Sequence, residues 1–203
     1  MSSDRPNPRN RETPEVRRKL LIEAAMRSIA KYGYAGTTIE TICSEAQVSR
    51  GLINHHFGSK EELIRQSYKA LRDEWVAQTH GAIGNEHAEP EDRLRAMIRV
   101  SFGPTMFKQE YLGIWAGFWS AIGKSPALRK LNRELFEKDR EAYQGIFEEI
   151  ALKRGKQLDA RRAALTVIAL IDGFWLEWCL DPKSFTALEA EAACLAFATQ
   201  VFA

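Results

Sequence analysis

The stretch "TTIETICSEAQVSRGLINHHFGSKEELI", residues 37–64, decides the fold class of this chain. Two S/T-x-x-E patterns in it, Thr37 with Glu40 and Ser59 with Glu62, are typical of the capping boxes that open helices. Between these openings the tripeptide QVS predicts a turn. Two short helices joined by such a turn form a helix-turn-helix, so the stretch predicts a DNA-binding unit.

The helix after the turn has two different faces. Ser49 is its predicted N-cap, and Val48, Ile53 and Phe57 are predicted to be its buried side. Gly51 costs about 1 kcal/mol of helix propensity. This glycine therefore either permits a close approach to DNA or is a tolerated surface residue. The outer side carries Arg50, Gly51, Leu52, Asn54 and His55.

The adjacent histidines His55 and His56 invite a metal-binding or catalytic interpretation. Two imidazoles that share a metal on a helix need a spacing of four residues, whereas neighbours diverge by about 100° around the helix axis. No nucleophile accompanies them. The sequence therefore predicts no metal site, no cofactor and no enzyme activity, and leaves phosphate contact or packing at the helix rim as the role of the pair.

Helical signals continue along the whole chain, and the alternation typical of strands is almost absent. We predict an all-α protein of about nine helices. Thr13 and Pro14 open the first helix, and Gly33 is placed to end it. Beyond the helix that opens at Ser59 and runs to roughly Ile83, the predicted helices are 91–105, 108–123, 126–153, 159–180 and 186–202.

Composition adds a compartment and a basic segment. The three cysteines have no CxxC spacing, no apolar signal core opens the chain, and the net charge is only +2. These features favour a reduced cytoplasmic compartment and no membrane anchor. Up to Lys31 the chain carries twice as many basic as acidic residues. We interpret residues 1–13 as a flexible basic arm that is either a solvated tail or lies near phosphates.

Four of the five tryptophans lie in two later segments. Trp115 and Trp119 share one helical face, and Asp172 lies near Trp175 inside an apolar run. Tryptophans at helical spacing are often core residues. A buried acid is costly unless it is paired, however, and aromatic faces with a carboxylate suit a desolvated cation, at about 0.5–2 kcal/mol per ring. The candidate ligand-binding residues are Trp115, Phe118, Trp119, Asp172, Trp175 and Trp178.

Residues 14–65 resemble the DNA-binding domain of the TetR family of bacterial repressors, through the T-T opening, the V-S turn and the K-x-x-L at the start of helix four. Where that family most often has tyrosine, this chain has Asn54, which can hydrogen-bond adenine. The resemblance implies that Arg50, Gly51, Leu52 and Asn54 face base edges. It implies contacts near the phosphate backbone for Thr37, Thr38, His55, His56 and Lys60, and Ser49 is a further candidate DNA-binding residue.

Two segments within residues 66–203 resemble the C-terminal domain of the BetI type of that family, through "W-x-x-FW" followed by "P-x-L-x-x-L-N-R" and through "ALIDG-x-W-L". The resemblance implies a ligand-binding and dimerisation domain in which the last two helices pair with those of a second copy. It also implies double-stranded operator DNA and a choline-like or other small-molecule effector as partners. We expect a ligand-released repressor, with helix four and its Trp75 as the link. The alternative is an activator, or a regulator that senses no small molecule.

Overall fold

The structure is a computed structural model that describes residues 13–83 and 88–202, and in these ranges it contains helices and no strand. The predicted all-α fold is confirmed. The basic arm predicted for residues 1–13 lies outside the described residues except for Thr13. The described helices are α1 (Pro14–Gly36), α2 (Ile39–Ala46), α3 (Gly51–Phe57), α4 (Lys60–Ile83), α5 (Pro90–Ser101), α6 (Gln109–Lys124), α7 (Pro126–Arg154), α8 (Ala160–Leu180) and α9 (Ala187–Gln200).

The first helix begins as predicted and ends later. Thr13 accepts a hydrogen bond from the backbone N–H of Val16 at 3.4 Å, and Pro14 occupies the first helical position. Gly33 has φ 68° and ψ 174°, a backbone conformation that suits glycine, and it kinks the helix. The chain then makes one more turn to Gly36. Gly33 therefore interrupts α1 where the sequence predicted its end.

The capping box of α2 is shifted by one residue from its predicted place. The hydroxyl of Thr38 accepts from the N–H of Thr41 at 3.2 Å, and the hydroxyl of Thr41 accepts from the N–H of Thr38 at 2.9 Å. The predicted box of Thr37 with Glu40 is wrong. The Thr37 side chain is 1% exposed and its hydroxyl donates to the carbonyl of Gly33 at 2.7 Å. A second threonine here does what glutamate does in the usual pattern.

Two other predicted boundaries need correction. Helix α3 starts at Gly51 after Arg50 without a side-chain cap, so the predicted N-cap at Ser49 is wrong. The carbonyl of Ser49 instead accepts from the N–H of Leu52 at 3.2 Å. Helix α5 ends at Ser101, earlier than the predicted residue 105. The residue before a proline is disfavoured in helical geometry, and the sequence Gly103-Pro104 therefore stops α5.

The helices α1, α2 and α3 pack around a common core that contains Leu21, Ile42 and Ile53, each at most 1% exposed. Helix α4 leaves this unit and packs against α5 and α7, while α6 crosses α1. This crossing is close at Gly117, where an added Cβ would lie 2.4 Å from Cγ2 of Ile29. The DNA-binding unit and the larger helical unit therefore share an apolar core.

Helix α8 has more apolar surface than this chain covers. Among the described residues it is the one helix whose length and mean hydropathy of 1.6 would allow it to cross a membrane, judged by length and composition alone. Its side chains Ile171 and Trp175 are buried, whereas Leu165, Leu176 and Leu180 are 40%, 45% and 78% exposed. The exposed leucines lie on one face, because their spacing follows the helical period.

Candidate DNA-binding surface and effector cavity

Helix α3 presents a polar face to solvent. Ile53 and Phe57 are buried at 0% and 7% exposure, as the sequence predicted. Leu52 is half-buried and packs against the core, and His56 is also half-buried. The candidate DNA-binding residues that the structure leaves exposed beside one another are Ser49, Arg50, Gly51, Asn54 and His55.

Among the described residues, no neighbouring atom requires a glycine at position 51. A Cβ built on Gly51 would have no atom within 4 Å among the described residues. Packing inside the protein therefore does not explain the helix propensity that this glycine costs. An approaching partner is the steric reason that remains, beside simple tolerance of glycine on the surface.

Arg50 is paired across the turn of the helix-turn-helix. Its guanidinium Nη2 lies 2.9 Å from Oε1 of Glu40 on α2, and both side chains are more than half exposed. Exposed ion pairs contribute at most about 1 kcal/mol. Redirecting Arg50 towards a base or a phosphate therefore costs little.

Arg18 on α1 holds the end of α3. Its guanidinium donates hydrogen bonds to the carbonyl of His56 and to the side chain of Gln66, and it lies 4.4 Å from the ring centroid of Phe57. Burial, His55 and Arg18 lower the pKa of His56, which favours the neutral imidazole. In the sequence Arg18 is only one of several basic residues before Lys31, and no local pattern indicates this positioning contact.

The start of α4 is tied to the start of α2. The ammonium group of Lys60 donates to the carbonyl of Thr37 at 3.0 Å. The half-buried Thr38 follows directly, while Thr37 itself is buried. The phosphate contacts of Thr37, Thr38 and Lys60 stay predictions. In the ranges 13–83 and 88–202 no group of three His, Cys, Asp or Glu residues is arranged to hold a metal ion.

A cavity of about 30 Å3, called the aromatic cavity below, lies among α4, α6, α7 and α8. Of the predicted ligand-binding residues it brings together Trp115, Trp119, Asp172 and Trp175. Phe118 is fully buried against Tyr68, and Trp178 stacks on Phe107, so neither lines it. The other lining residues are Tyr68, Arg72, Trp75, Asn132, Phe136, Asp139, Tyr143, Ile168 and Ile171.

A buried ion pair in this cavity was missed by the sequence analysis. Arg72 and Asp139 are 6% and 8% exposed and form a salt bridge. The Arg72 guanidinium lies 5.4 Å from the ring centroid of Trp75, 5.5 Å from that of Trp115 and 5.8 Å from that of Phe136. The cavity therefore already contains a cation among its aromatic rings.

Asp172 adds a second acid to the cavity. Burial raises the pKa of this carboxyl to about 6, and the nearby Arg72 partly opposes the rise. Burial also raises the pKa of Tyr68 to about 12, so this phenol is neutral at physiological pH. Near pH 7 the cavity thus holds one guanidinium, the carboxylate of Asp139 and a largely ionised Asp172. The net charge of these groups is therefore negative.

A larger groove of about 500 Å3, the α4–α7 groove, lies on the other side of the same wall. Trp75 and Asp139 line both the groove and the aromatic cavity. Its lining combines apolar residues such as Val76, Met97 and Ile146 with charged residues such as Arg93 and Glu149, and its volume is in the range of small-molecule sites. A displacement of Trp75 and Asp139 would join the two spaces.

Comparison with known proteins gives two matches to family models. Residues 21–66 match the model of bacterial regulatory proteins of the tetR family. Residues 90–203 match the model of the C-terminal domain of BetI-type transcriptional repressors. The two matched segments contain α3 and most of the lining of the aromatic cavity.

Individual relatives agree with these models. The chain is 36% identical over 172 residues to the HTH-type transcriptional regulator BetI of Paraburkholderia phymatum, covering 84% of this chain and 85% of that protein. A transcriptional regulator from Pseudomonas aeruginosa PAO1 superposes with a TM-score of 0.85 at 33% identity, over 94% of this chain and 92% of that one. A regulator from Saccharomonospora viridis, solved in complex with choline, has the same fold at 22% identity, with a TM-score of 0.75 over 91% and 96% of the two chains.

Proposed function

Because the chain belongs to the TetR family of bacterial transcriptional regulators and has a BetI-type C-terminal domain, we propose that it is a repressor that a small-molecule effector releases from a palindromic operator. The observation that carries this proposal is one chain with both an exposed polar face on α3 and a cavity of rings and carboxylates. Helices α4 and α6 line the cavity, and α4 contacts α3 while α6 contacts α1.

The DNA-binding half of the proposal rests on α3. We propose that Arg50, Gly51, Leu52 and Asn54 face base edges in the major groove and that His55 and His56 lie along the backbone. Ile53 and Phe57 fix the helix inward, and Arg18 fixes its last turn. Asparagine is suited to a bidentate contact with adenine.

Replacement of Asn54 by alanine tests this contact. We expect operator affinity to fall by about 1–3 kcal/mol, which is roughly 5- to 150-fold, because a base contact is lost from an exposed position where the fold does not depend on it. Titration of labelled operator and of a scrambled duplex at equal salt measures it. Binding to the scrambled duplex stays unchanged. An equal loss on both duplexes would assign Asn54 to the backbone instead.

The sensing half of the proposal rests on α4 and α6, which contact the DNA-binding unit and also line the aromatic cavity. Helix α4 carries Arg72 and Trp75 of the cavity and begins at Lys60, which contacts the start of α2. Helix α6 carries Trp115 and Trp119 and crosses α1 at Gly117. An effector that enlarges the cavity therefore moves the DNA-binding unit. It shifts operator affinity by its differential affinity for the two states, typically about 1–3 kcal/mol.

We propose a cationic effector, choline-like or another amine. Near neutral pH the charge in the aromatic cavity is negative, and the rings of Trp119 and Trp175 offer faces for a cation. The choline complex of the Saccharomonospora viridis regulator supports this class of ligand for the fold.

The dimer is proposed to form through α8 and α9. Leu165, Leu176 and Leu180 form the exposed apolar face of α8, and Leu188 at the start of α9 is 76% exposed. A two-fold pair of these helices would cover both faces. It would also place two copies of α3 about 34–36 Å apart, one DNA turn, on a palindromic site.

Replacement of Leu176 by glutamate tests the dimer. We expect the dimer dissociation constant to rise at least about 100-fold, because a charge would have to be buried in an apolar interface. Sedimentation equilibrium of the wild type and the variant measures it. The control is Leu152→Glu, since Leu152 is 85% exposed on α7, outside the two proposed interface helices. A Leu176→Glu protein that stays dimeric would place the interface elsewhere.

A gel-shift titration with the promoter fragment and candidate amines tests the whole proposal. The expected result is binding at low salt that an effector reverses. Absence of sequence-specific binding would refute the regulator as proposed. Binding that is insensitive to every amine would refute only the sensing half.

A further inference from the structure

The aromatic cavity contains hydrogen-bond donors with nothing to bind within the described chain. Arg72 Nε and the Tyr143 hydroxyl are buried and have no hydrogen-bond partner among residues 13–83 and 88–202, whereas the indole of Trp115 interacts with the Tyr111 hydroxyl. Arg72 and Tyr143 are 6% and 1% exposed, and both line the cavity. A guanidinium can only donate. The cavity is therefore built to receive an acceptor.

In the neighbouring Trp175, by contrast, the hydrogen-bond donor already has a partner. Its indole N–H donates to the carbonyl of Ser101 at 2.9 Å, so Trp175 offers the cavity only its ring. Tyr68 is also satisfied, because its hydroxyl hydrogen-bonds the side chain of Asn132 at 2.5 Å. The unpaired donors are thus a particular subset of the lining residues, contributed by α4 and α7.

Arg72 also limits what kind of cation can bind. Its guanidinium already faces the rings of Trp75, Trp115 and Phe136, and Asp139 pairs with its Nη2. A second positive charge at the same rings would be repelled unless an anion lay between the two charges. The planar guanidinium carries five N–H groups, and its Nε edge remains for a second carboxylate.

We propose that the effector is a betaine-type zwitterion, whose carboxylate is bound by Arg72 and Tyr143 and whose ammonium group lies by Asp172 and the ring of Trp175. This inference rests on the proposed function and narrows its ligand class. A simple quaternary amine satisfies Asp172 and leaves both donors unpaired. A zwitterion satisfies both sets of groups.

Binding requires Trp75 and Asp139, which line both the aromatic cavity and the α4–α7 groove, to move. The aromatic cavity has about 30 Å3, the volume of about one water molecule, whereas the α4–α7 groove beyond Trp75 and Asp139 has about 500 Å3. A carboxylate that enters from the groove reaches the Asp139–Arg72 pair first. It then competes with Asp139 for the same guanidinium, and this competition gives the ligand a direct means of displacing the wall.

Isothermal titration of the full chain with matched probes tests the proposal. The probes are glycine betaine and 4-(trimethylammonio)butanoate, which carry both charges at two separations, choline, which has a hydroxyl in place of the carboxylate, and tetramethylammonium, which has the cation alone. We expect at least one zwitterion to bind ten-fold or more tightly than choline and tetramethylammonium. Choline or tetramethylammonium binding as tightly as both zwitterions would overturn the inference and leave the proposed function standing.

Two variants locate the acceptor site. Tyr143→Phe should weaken the zwitterion about five- to ten-fold and leave tetramethylammonium unchanged. Tyr111→Phe is the control, because it also removes a buried hydroxyl but one that interacts with the indole of Trp115 and does not line the cavity. The paired change Arg72→Met with Asp139→Leu, which leaves no single buried charge, should abolish the preference for the zwitterion.

The remaining outcomes are also decisive. Equal effects of Tyr143→Phe and Tyr111→Phe would overturn the proposed acceptor site. If no probe binds, the inference is wrong, and a gel shift on the same preparation shows whether operator binding, and with it the DNA-binding half of the proposed function, survives.

Discussion

Asp172→Asn is expected to stabilise the folded protein at pH 7 by up to about 3 kcal/mol and to weaken the response to a cationic effector strongly. Burial raises the pKa of Asp172 from its ordinary 3.8 to about 6 in the folded chain. One pKa unit corresponds to about 1.4 kcal/mol, and a raised carboxyl pKa means that the folded state binds the proton more tightly than the unfolded state. The ionised carboxylate therefore costs stability, which asparagine avoids.

The dependence of folding stability on pH shows whether Asp172 stabilises or destabilises the fold. Between about pH 4 and pH 6 the folded chain binds more protons at Asp172 than the unfolded chain, so this residue lowers stability as pH rises through that window, and the full cost persists above it. The charged and titratable groups that line the same cavity are Arg72 and Tyr68 from α4 and Asp139 and Tyr143 from α7.

Urea unfolding of the wild type and the variant from pH 4 to pH 8 measures the difference directly. The two curves should agree near pH 4 and diverge by pH 7, with the asparagine variant more stable. Asp73→Asn is the control, since Asp73 is an exposed acid on α4 paired with Lys69. A less stable Asp172→Asn protein at pH 7 would mean that the carboxylate is paired and structural. Asparagine is a cleaner probe than alanine, because alanine also leaves a void.

Gly117→Ala is expected to destabilise the protein by about 1–3 kcal/mol and to weaken operator binding. The new Cβ would lie 2.4 Å from Cγ2 and 3.1 Å from the carbonyl oxygen of Ile29. Ile29 is fully buried, and its β-branched side chain has one strongly preferred rotamer in a helix. Helix α6 therefore has to move away from α1, and this shift changes the position of the DNA-binding unit relative to the aromatic cavity.

The same helix supplies the controls. A Cβ at Gly113 would lie 4.0 Å from Cβ of Ala30, and one at Gly123 would have no atom within 4 Å among the described residues. Alanine at either position should leave operator affinity unchanged and raise stability slightly, as expected for glycine in a helix. Thermal unfolding and operator titration of the three variants make the comparison. Equal behaviour of all three would show that the crossing is not tight, whereas partial rescue of Gly117→Ala by Ile29→Ala would confirm the contact.

The helices could be predicted because their signals are local. Pro14 at a first turn, Ser59 before Glu62 and the apolar spacing of Ile53 and Phe57 each act within a few residues. The errors are local as well. Thr38 competes with Thr37 for the same role, and the choice depends on the hydrogen bond of the Thr37 hydroxyl to the carbonyl of Gly33, four residues earlier, which the capping-box pattern does not take into account.

The interior of the aromatic cavity was less predictable. Trp115 and Trp119 lie on one helical face and both line the cavity, but their neighbour Phe118 points into the core, where it meets Tyr68. Arg72 and Asp139 lie in strongly charged stretches that are typical of solvated helix faces. Their burial follows from the packing of α4 on α7, which brings together residues far apart in the sequence.

The length of α4 gives a small movement in the cavity a large reach. Arg72 lies twelve residues from Lys60, which is about 18 Å along the helix axis. A tilt of about 5° at Arg72 would thus shift the Lys60 end by roughly 1.6 Å, and opposite shifts in two copies would change the spacing of their α3 helices by about 3 Å against a 34 Å DNA repeat. A tilt of α4 of this size would let a ligand of a few atoms in the cavity change the binding of a DNA duplex that it does not contact.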